Sequence, residues 1–303
     1  MRMKKIVECV PNFSEGRRKE IIEEIVDQVR KRKDVKLLDY SSDPDHNRTD
    51  VTFIGEPKAV KEAALDLAIK CVELIDMNKH KGEHPRMGAI DVVPFIPVYN
   101  VTMEECVKLA HEFAKEFSEK TGVPCFMYEE AATRPDRKNL ADVRRGEFEG
   151  LKEVIGKDPD KVPDYGPNKI HPTAGATAVG ARFFLVAFNV NLGTSDIEIA
   201  KKIAKAVRYS SGGYRYVKAM GFEIKERGIV QVSMNLTNYQ KTPIFRVFET
   251  IKNEAERYGV PVIGSEIIGL IPLEALVMVA DHYLRLENFS IDQVLEKRLL
   301  EVE

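Results

Sequence analysis

Val35-Lys36-Leu37-Leu38-Asp39-Tyr40 and Val51-Thr52-Phe53-Ile54-Gly55, joined by the polar run Ser41–Arg48, are two strand-like segments in direct succession. They stand between two helical patterns, and that placing decides the fold. Upstream, Arg17–Lys33 sets Ile21, Ile22, Ile25, Val26 and Val29 on one helical stripe, after the short apolar strand Ile6–Val10. Downstream, Pro57 opens a second helix in the favoured first position, with Val60, Ala64, Leu67 and Cys71 along it. Ile90–Val98 then returns as a strand, and its two prolines point to an edge or an irregular end. The order β-α-β-β-α-β is that of a ferredoxin-like sheet with helices on one face. Thr102 and Glu105 form a capping box for a further helix that ends at Gly122, and Pro124–Tyr128 adds a strand.

The order recurs downstream. Phe183–Leu192 is an apolar strand, and Ser195 with Glu198 reads as a capping box ahead of Ile199, Ile203 and Val207. Tyr214–Ile224 and Ile229–Leu236 read as paired strands around Glu226-Arg227-Gly228. Pro243–Tyr258 is helical and Val260–Ser265 a strand. Between the halves, Glu129–Gly180 is rich in Arg, Asp, Pro and Gly, with at most a short helix at Gly146–Ile155. A long irregular segment in a compact protein is usually functional or disordered. The expectation is an α+β protein of two ferredoxin-like βαββαβ subdomains, residues 1–180 and 181–303, with a ligand cleft between them.

Bulk numbers exclude several classes. The 46 Lys and Arg against 48 Asp and Glu leave a net charge of -2, so no nucleic acid held by bulk electrostatics is expected. No stretch approaches the ~18 apolar residues of a membrane span, and the start carries no export signal. Cys9, Cys71, Cys106 and Cys125 are widely spaced and form no C-x-x-C pair. They read as reduced thiols of a cytoplasmic protein.

Chemistry concentrates in Lys79-His80-Lys81-Gly82-Glu83-His84-Pro85-Arg86-Met87-Gly88. Gly82 weakens any helix and Pro85 pushes His84 toward extended backbone. The H-x-x-E-H spacing matches a zinc pattern, but that chemistry needs both histidines on one helical face and a further ligand. No metal is therefore expected. Two more polar loops, Pro11–Gly16 and Ser41–Arg48, also end predicted strands, and such loops can converge at one end of a sheet. Together they offer His46, His80 and His84 as bases, Arg48 and Arg86 as carboxylate forks, Asp39 and Asp43 as partners for an imidazole, and Asn12 and Asn47 as amide contacts. The aperiodic run Gly166–Gly175 is neither a Walker loop nor a dinucleotide motif, and it reads as a linker or as a wall that a ligand approaches.

Glu8-Cys9-Val10-Pro11-Asn12-Phe13-Ser14-Glu15-Gly16, Asn47-Arg48-Thr49 and Gly82-Glu83-His84-Pro85-Arg86-Met87-Gly88-Ala89 resemble the formiminotransferase–cyclodeaminase family in its transferase part. So do Pro94–Pro97, Gly175-Ala176-Thr177, Ala187–Leu192 and Gly269-Leu270-Ile271-Pro272, in order along nearly the whole chain. The resemblance implies two ferredoxin-like subdomains with folate in the cleft between them, a homodimer, and no cyclodeaminase half in this chain. It implies transfer of the formimino group of N-formimino-L-glutamate to N5 of tetrahydrofolate, as in histidine breakdown and one-carbon metabolism. His84 becomes the general acid and base. Gly166, Pro167, Asn168, Lys169, Ile170, His171, Pro172, Thr173, Ala174 and Gly175 become the folate-binding segment. Asn47, Arg48 and Arg86 are candidates for the donor's carboxylates and amidine. Cations of Arg134–Arg145 are expected near the mouth of the folate slot. Mammalian members carry an acid in place of Ser41 and an aromatic residue in place of Ala174. Formyl transfer between 5-formyltetrahydrofolate and glutamate, and folate binding without catalysis, are the competing readings.

Overall fold

The computed structural model describes residues 5–82 and 85–301, the last three by backbone alone. It divides into two compact units at Arg182/Phe183.

In the first unit, β1 (Ile6–Cys9) and β2 (Asn12–Phe13) are two pieces of one interrupted strand. Both pair with β4 (Arg48–Gly55) on one side and β5 (Ile90–Tyr99) on the other. α1 (Lys19–Arg30) leads into β3 (Val35–Asp43), which pairs with β4, and α2 (Pro57–Leu74) leads into β5. The spatial order β3–β4–β1/β2–β5, antiparallel throughout, is the ferredoxin-like arrangement the sequence predicts. Val7, Cys9, Val51, Phe53, Val93 and Phe95 point to one face, which the apolar stripes of α1, α2 and α3 (Met103–Thr121) cover. Thr102 and Glu105 do form the capping box of α3, and Gly122 ends it at φ 72°.

The sheet then grows beyond the expected four strands. β6 (Cys125–Glu129) is the far edge, and β7 (Thr177–Ala181) inserts between β6 and β5, parallel to both. β5 is therefore an interior strand rather than an edge, and the other alternative, an irregular end, holds: its pairing with β1 slips where Ile6 meets Tyr99 and Val7 meets Pro97. Pro94 is tolerated because β1 and β2 break at Val10-Pro11 opposite it, and Pro97 lies past the β7 ladder, beside the slip in the β1 pairing. The segment before β7 is not an interdomain linker either. It carries α4 (Leu140–Val143) and α5 (Glu147–Val154), whose Val143 and Leu151 pack on Met87, Val92, Phe126, Tyr128 and Ala178 against the sheet's other face.

The second unit is β8 (Val186–Leu192), α6 (Ile197–Val207), β9 (Val217–Ile224), β10 (Ile229–Leu236), α7 (Ile244–Glu256) and β11 (Val262–Ile268), then α8 (Leu273–Leu284) and α9 (Leu295–Glu301). Its antiparallel order β11–β8–β10–β9 repeats the ferredoxin-like plan. The cap of α6 is Asp196, accepting from the Glu198 N–H at 2.9 Å, rather than Ser195. An aspartate beside the first turn offers a full charge where a serine offers a dipole. The four cysteines are free and buried. Among the described residues no helix is long and apolar enough to cross a membrane.

Candidate functional site

The three polar loops of the first unit converge, and Asn47 is the knot. It closes the β3–β4 turn with φ 49°. Its Oδ1 accepts the Gly16 N–H at 2.9 Å, its Nδ2 donates to the Lys81 carbonyl at 3.0 Å, and its own carbonyl accepts from His80 Nε2 at 2.9 Å. Ser14 ties the first loop to the third through its Oγ on the Gly88 carbonyl at 2.8 Å and its N–H on the Ala89 carbonyl at 2.9 Å. Gly82 passes so close to the turn that a Cβ there would meet the His46 carbonyl oxygen at 2.2 Å.

Glu15 turns its carboxylate on the start of α1. It accepts the N–H groups of Arg17 and Arg18, each at 2.9 Å, and Arg18 Nε at 2.6 Å. Burial pushes this carboxyl up, but the donors outweigh it and hold it below the usual range.

His80 has both ring nitrogens in use. Nε2 donates to Asn47, so Nδ1 is the acceptor that takes Arg86 Nε at 3.3 Å. Burial, with Arg86 beside it, lowers its pKa against the pull of the Asn47 carbonyl. This imidazole is neutral and structural, and neither nitrogen is open to a metal. His46 pairs with Asp43, Nδ1 to Oδ2 at 2.7 Å, as an exposed brace of the turn. Among the described residues no group of three or more His, Cys, Asp or Glu could hold a metal ion. Glu83 and His84 lie outside the described residues.

The two candidate arginines differ in their partners. Arg86, 7% exposed, has Nη1 on Glu147 at 2.7 Å and Nη2 on Glu149 at 2.6 Å, both from the start of α5. Arg48 shares the fully buried Asp91 with Arg144. Asp91 Oδ2 accepts Arg48 Nη1 at 2.7 Å, and Oδ1 accepts the Met87 N–H at 2.8 Å. Arg48 also grips Asn12 Oδ1 through Nη2 at 2.6 Å. Burial alone would raise the Asp91 carboxyl, but Arg144 and Arg48 hold it below its ordinary value. Asp50 also acts on Arg48, so the two guanidiniums and two carboxyls form one buried cluster beside the loops.

The run Gly166–Gly175 belongs to the first unit and is bonded to both feet of the Lys79–Gly88 loop. At one foot, Met77 N–H donates to the Thr173 carbonyl and Asn78 Nδ2 to the Pro172 carbonyl, each at 2.8 Å. At the other, Ala89 N–H donates to the Ala174 carbonyl at 2.8 Å and Ala176 N–H to the Met87 carbonyl at 2.9 Å. Gly88 and Gly175 make the contact possible, since a Cβ on Gly88 would meet the Ala176 carbonyl oxygen at 2.1 Å. Asn168, Lys169, Pro172 and Thr173 are exposed, whereas Ala174 and Gly175 are buried. Ala174 faces the core and offers no ring-stacking surface. At Ser41 the missing acid has a neighbour directly across the ladder, Asp50, whose pKa burial raises.

The cations of Arg134–Arg145 are largely committed. Arg137 is buried on Asp164 at 2.6 Å and over the Phe126 ring, Arg134 holds Asp160 at 2.7 Å, and Arg144 holds Asp91. Sequence reasoning missed Asp91, Glu147 and Glu149. A lone carboxylate inside the apolar strand Ile90–Val98 was the available signal for Asp91.

Two family models match: the formiminotransferase domain, N-terminal subdomain, over residues 6–182, and the formiminotransferase domain over residues 187–302. The chain belongs to the formiminotransferase family. It is 54% identical to glutamate formimidoyltransferase of Streptococcus pyogenes serotype M1, over 98% of this chain and 100% of that protein. Identity to glutamate formimidoyltransferase of Thermoplasma acidophilum is 48%, over 97% of each. It is also 48% to formimidoyltransferase-cyclodeaminase of Dictyostelium discoideum, over 98% of this chain and 56% of that longer protein. Of the quoted motifs, those around Pro11–Gly16, Asn47–Thr49, Gly82–Ala89 and Gly175–Thr177 fall on the three convergent loops and the segment bonded to them, while Pro94–Pro97 lies in β5 and Ala187–Leu192 and Gly269–Pro272 in the second unit.

Proposed function

We propose that the chain transfers the formimino group of N-formimino-L-glutamate to N5 of tetrahydrofolate, releasing L-glutamate and 5-formiminotetrahydrofolate. Near-full-length identity of 54% to a glutamate formimidoyltransferase carries this reading. Tetrahydrofolate is then a co-substrate. As N5 attacks the imino carbon it must lose a proton, and the glutamate nitrogen must gain one to leave. One histidine able to do both in turn is the simplest machinery, worth about 10²–10⁴-fold. His84 is assigned that role. Its support is chemical type and chain position, in a loop whose two feet are bonded to Gly166–Gly175, the assigned folate segment.

The donor's carboxylates are assigned first to Arg48, which Asp91 and Asn12 hold beside the loops. Arg86 would have to exchange Glu149 for substrate. Asn47 acts by holding the loops. The enzyme is placed in the cytoplasm, where four buried free thiols stay reduced. It is read as a homodimer, in keeping with exposed Ile263, Ile268, Leu273 and Leu276 on β11 and α8.

Assays with formimino- and formyl-glutamate side by side test the reaction. The formimino donor should have at least a ten-fold higher kcat/KM. Preference for the formyl donor would overturn the assignment, and folate binding without turnover of either donor would make the protein a binder.

A further inference from the structure

Glu8 is the third residue of β1, and strand alternation turns it away from the helical layer that receives Val7 and Cys9. Directly across the ladders stand Ile54 on β4 and Ile96 on β5, so its side chain emerges between two aliphatic ones. The residue is 3% exposed, and Oε2 has no hydrogen-bond partner among the described residues. Burial pushes its pKa up to about 7, with the nearby Arg182 opposing the rise only in part. Elsewhere on this face, Arg48, Asn12 and Arg144 are joined to one another through Asp91 and direct hydrogen bonds. A buried carboxyl left short of partners costs folding free energy, and in a native protein such a group calls for an explanation, a ligand or catalytic role among them.

We propose that Glu8 is a ligand-binding carboxylate that accepts a paired N–H edge, the N–C–N donor pattern of an amidine, from a substrate of the transfer reaction. The inference rests on the function proposed above. Two molecules of that reaction carry the pattern. The formimino donor presents it as an amidinium, and the pterin presents it through its 2-amino group and N3–H. Two parallel N–H donors match the two carboxylate oxygens, with charge-assisted bonds of about 2.7–2.9 Å. Ile54 and Ile96 would flank a flat group of this kind and keep water from the pair.

Glu8→Gln and Glu8→Met in the full chain test it. The amide keeps the shape but meets one ligand N–H with another, and the thioether removes both acceptors. Two quantities are read: Kd for 5-formyltetrahydrofolate by calorimetry, and KM for N-formimino-L-glutamate at saturating tetrahydrofolate. Both variants should keep or raise the wild-type melting temperature while one ligand loses at least ten-fold in affinity. A raised Kd with unchanged KM identifies the pterin as source, and the reverse identifies the formimino group. Two results would overturn the proposal: both constants within two-fold of wild type, or a melting temperature lowered by several degrees in both variants with Kd unchanged. Failure of the functional reading shows separately, as wild-type protein that turns over neither donor. The calorimetric arm still decides about Glu8 in that case.

Discussion

Asn47 sits in the left-handed backbone region, where asparagine is tolerated better than most side chains because its amide bonds locally. Three loops depend on it. Asn47→Ala strains the backbone by about 1–2 kcal/mol and orphans its buried partners by about 1–3 kcal/mol. Urea unfolding should therefore show a loss of about 2–4 kcal/mol, with kcat down at least ten-fold. A kcat within two-fold of wild type would separate the tether from catalysis. Glu8 gives a pH prediction. Its pKa rises from 4.5 to about 7, so the folded chain keeps a proton that the unfolded chain has already released. The stability this confers is whole below pH 4.5 and is lost as pH rises through about 7. The difference is worth about 3 kcal/mol. From pH 5 to pH 8, Glu8→Gln should gain on wild type by about 2–3 kcal/mol in urea unfolding. Parallel stability curves would contradict the burial account. The sequence exposed residue types here but not partners. Asp91 is conspicuous among apolar neighbours, yet its arginines stand 43 and 53 residues away, and no spacing rule spans that distance.

At the scale of elements, signals written locally were legible and those set by pairing were not. The capping box of α3 is four residues of chain and was read correctly. Thr102→Ala should cost about 1 kcal/mol by denaturant titration. β7 escaped notice because Thr-Ala-Val-Gly-Ala is short, small and buried on both faces, so it has neither alternation nor bulk. The prolines of β5 signal its irregular end but not its interior place, because the harmlessness of Pro94 depends on a break in the neighbouring strand. Convergence of the three loops was legible as a consequence of sheet topology. The joining of Gly166–Gly175 to the same place was not, since it requires β7. That joint is tight. Gly88→Ala drives a Cβ into two carbonyl oxygens, 2.1 and 2.7 Å away, and neither belongs to a flexible side chain. Its cost should exceed that of Thr102→Ala by at least about 2 kcal/mol. Equal costs would mean that β5 and the 174–176 backbone part without penalty.

Across the whole molecule one plan is used twice, and the candidate site gathers where additions to the first copy meet its loops. Each unit has the same βαββαβ order and the same spatial sequence of strands. The first adds α3, β6, α4, α5 and β7, and with them Arg144, Glu147, Glu149 and the Gly166–Gly175 segment. Those additions fix the loop that carries His84 to the assigned folate segment. The central claim is that this assembly moves the formimino carbon from donor to folate with His84 handling the protons. It is tested most directly with N-formimino-L-glutamate labelled at that carbon, incubated with tetrahydrofolate and either wild-type or His84→Ala protein. The account predicts label in 5-formiminotetrahydrofolate in step with glutamate release, and a rate at least about 10²-fold lower in the variant with folate affinity retained. Glutamate release with label left in formamide or formate, or a variant within a few-fold of wild type, would contradict it.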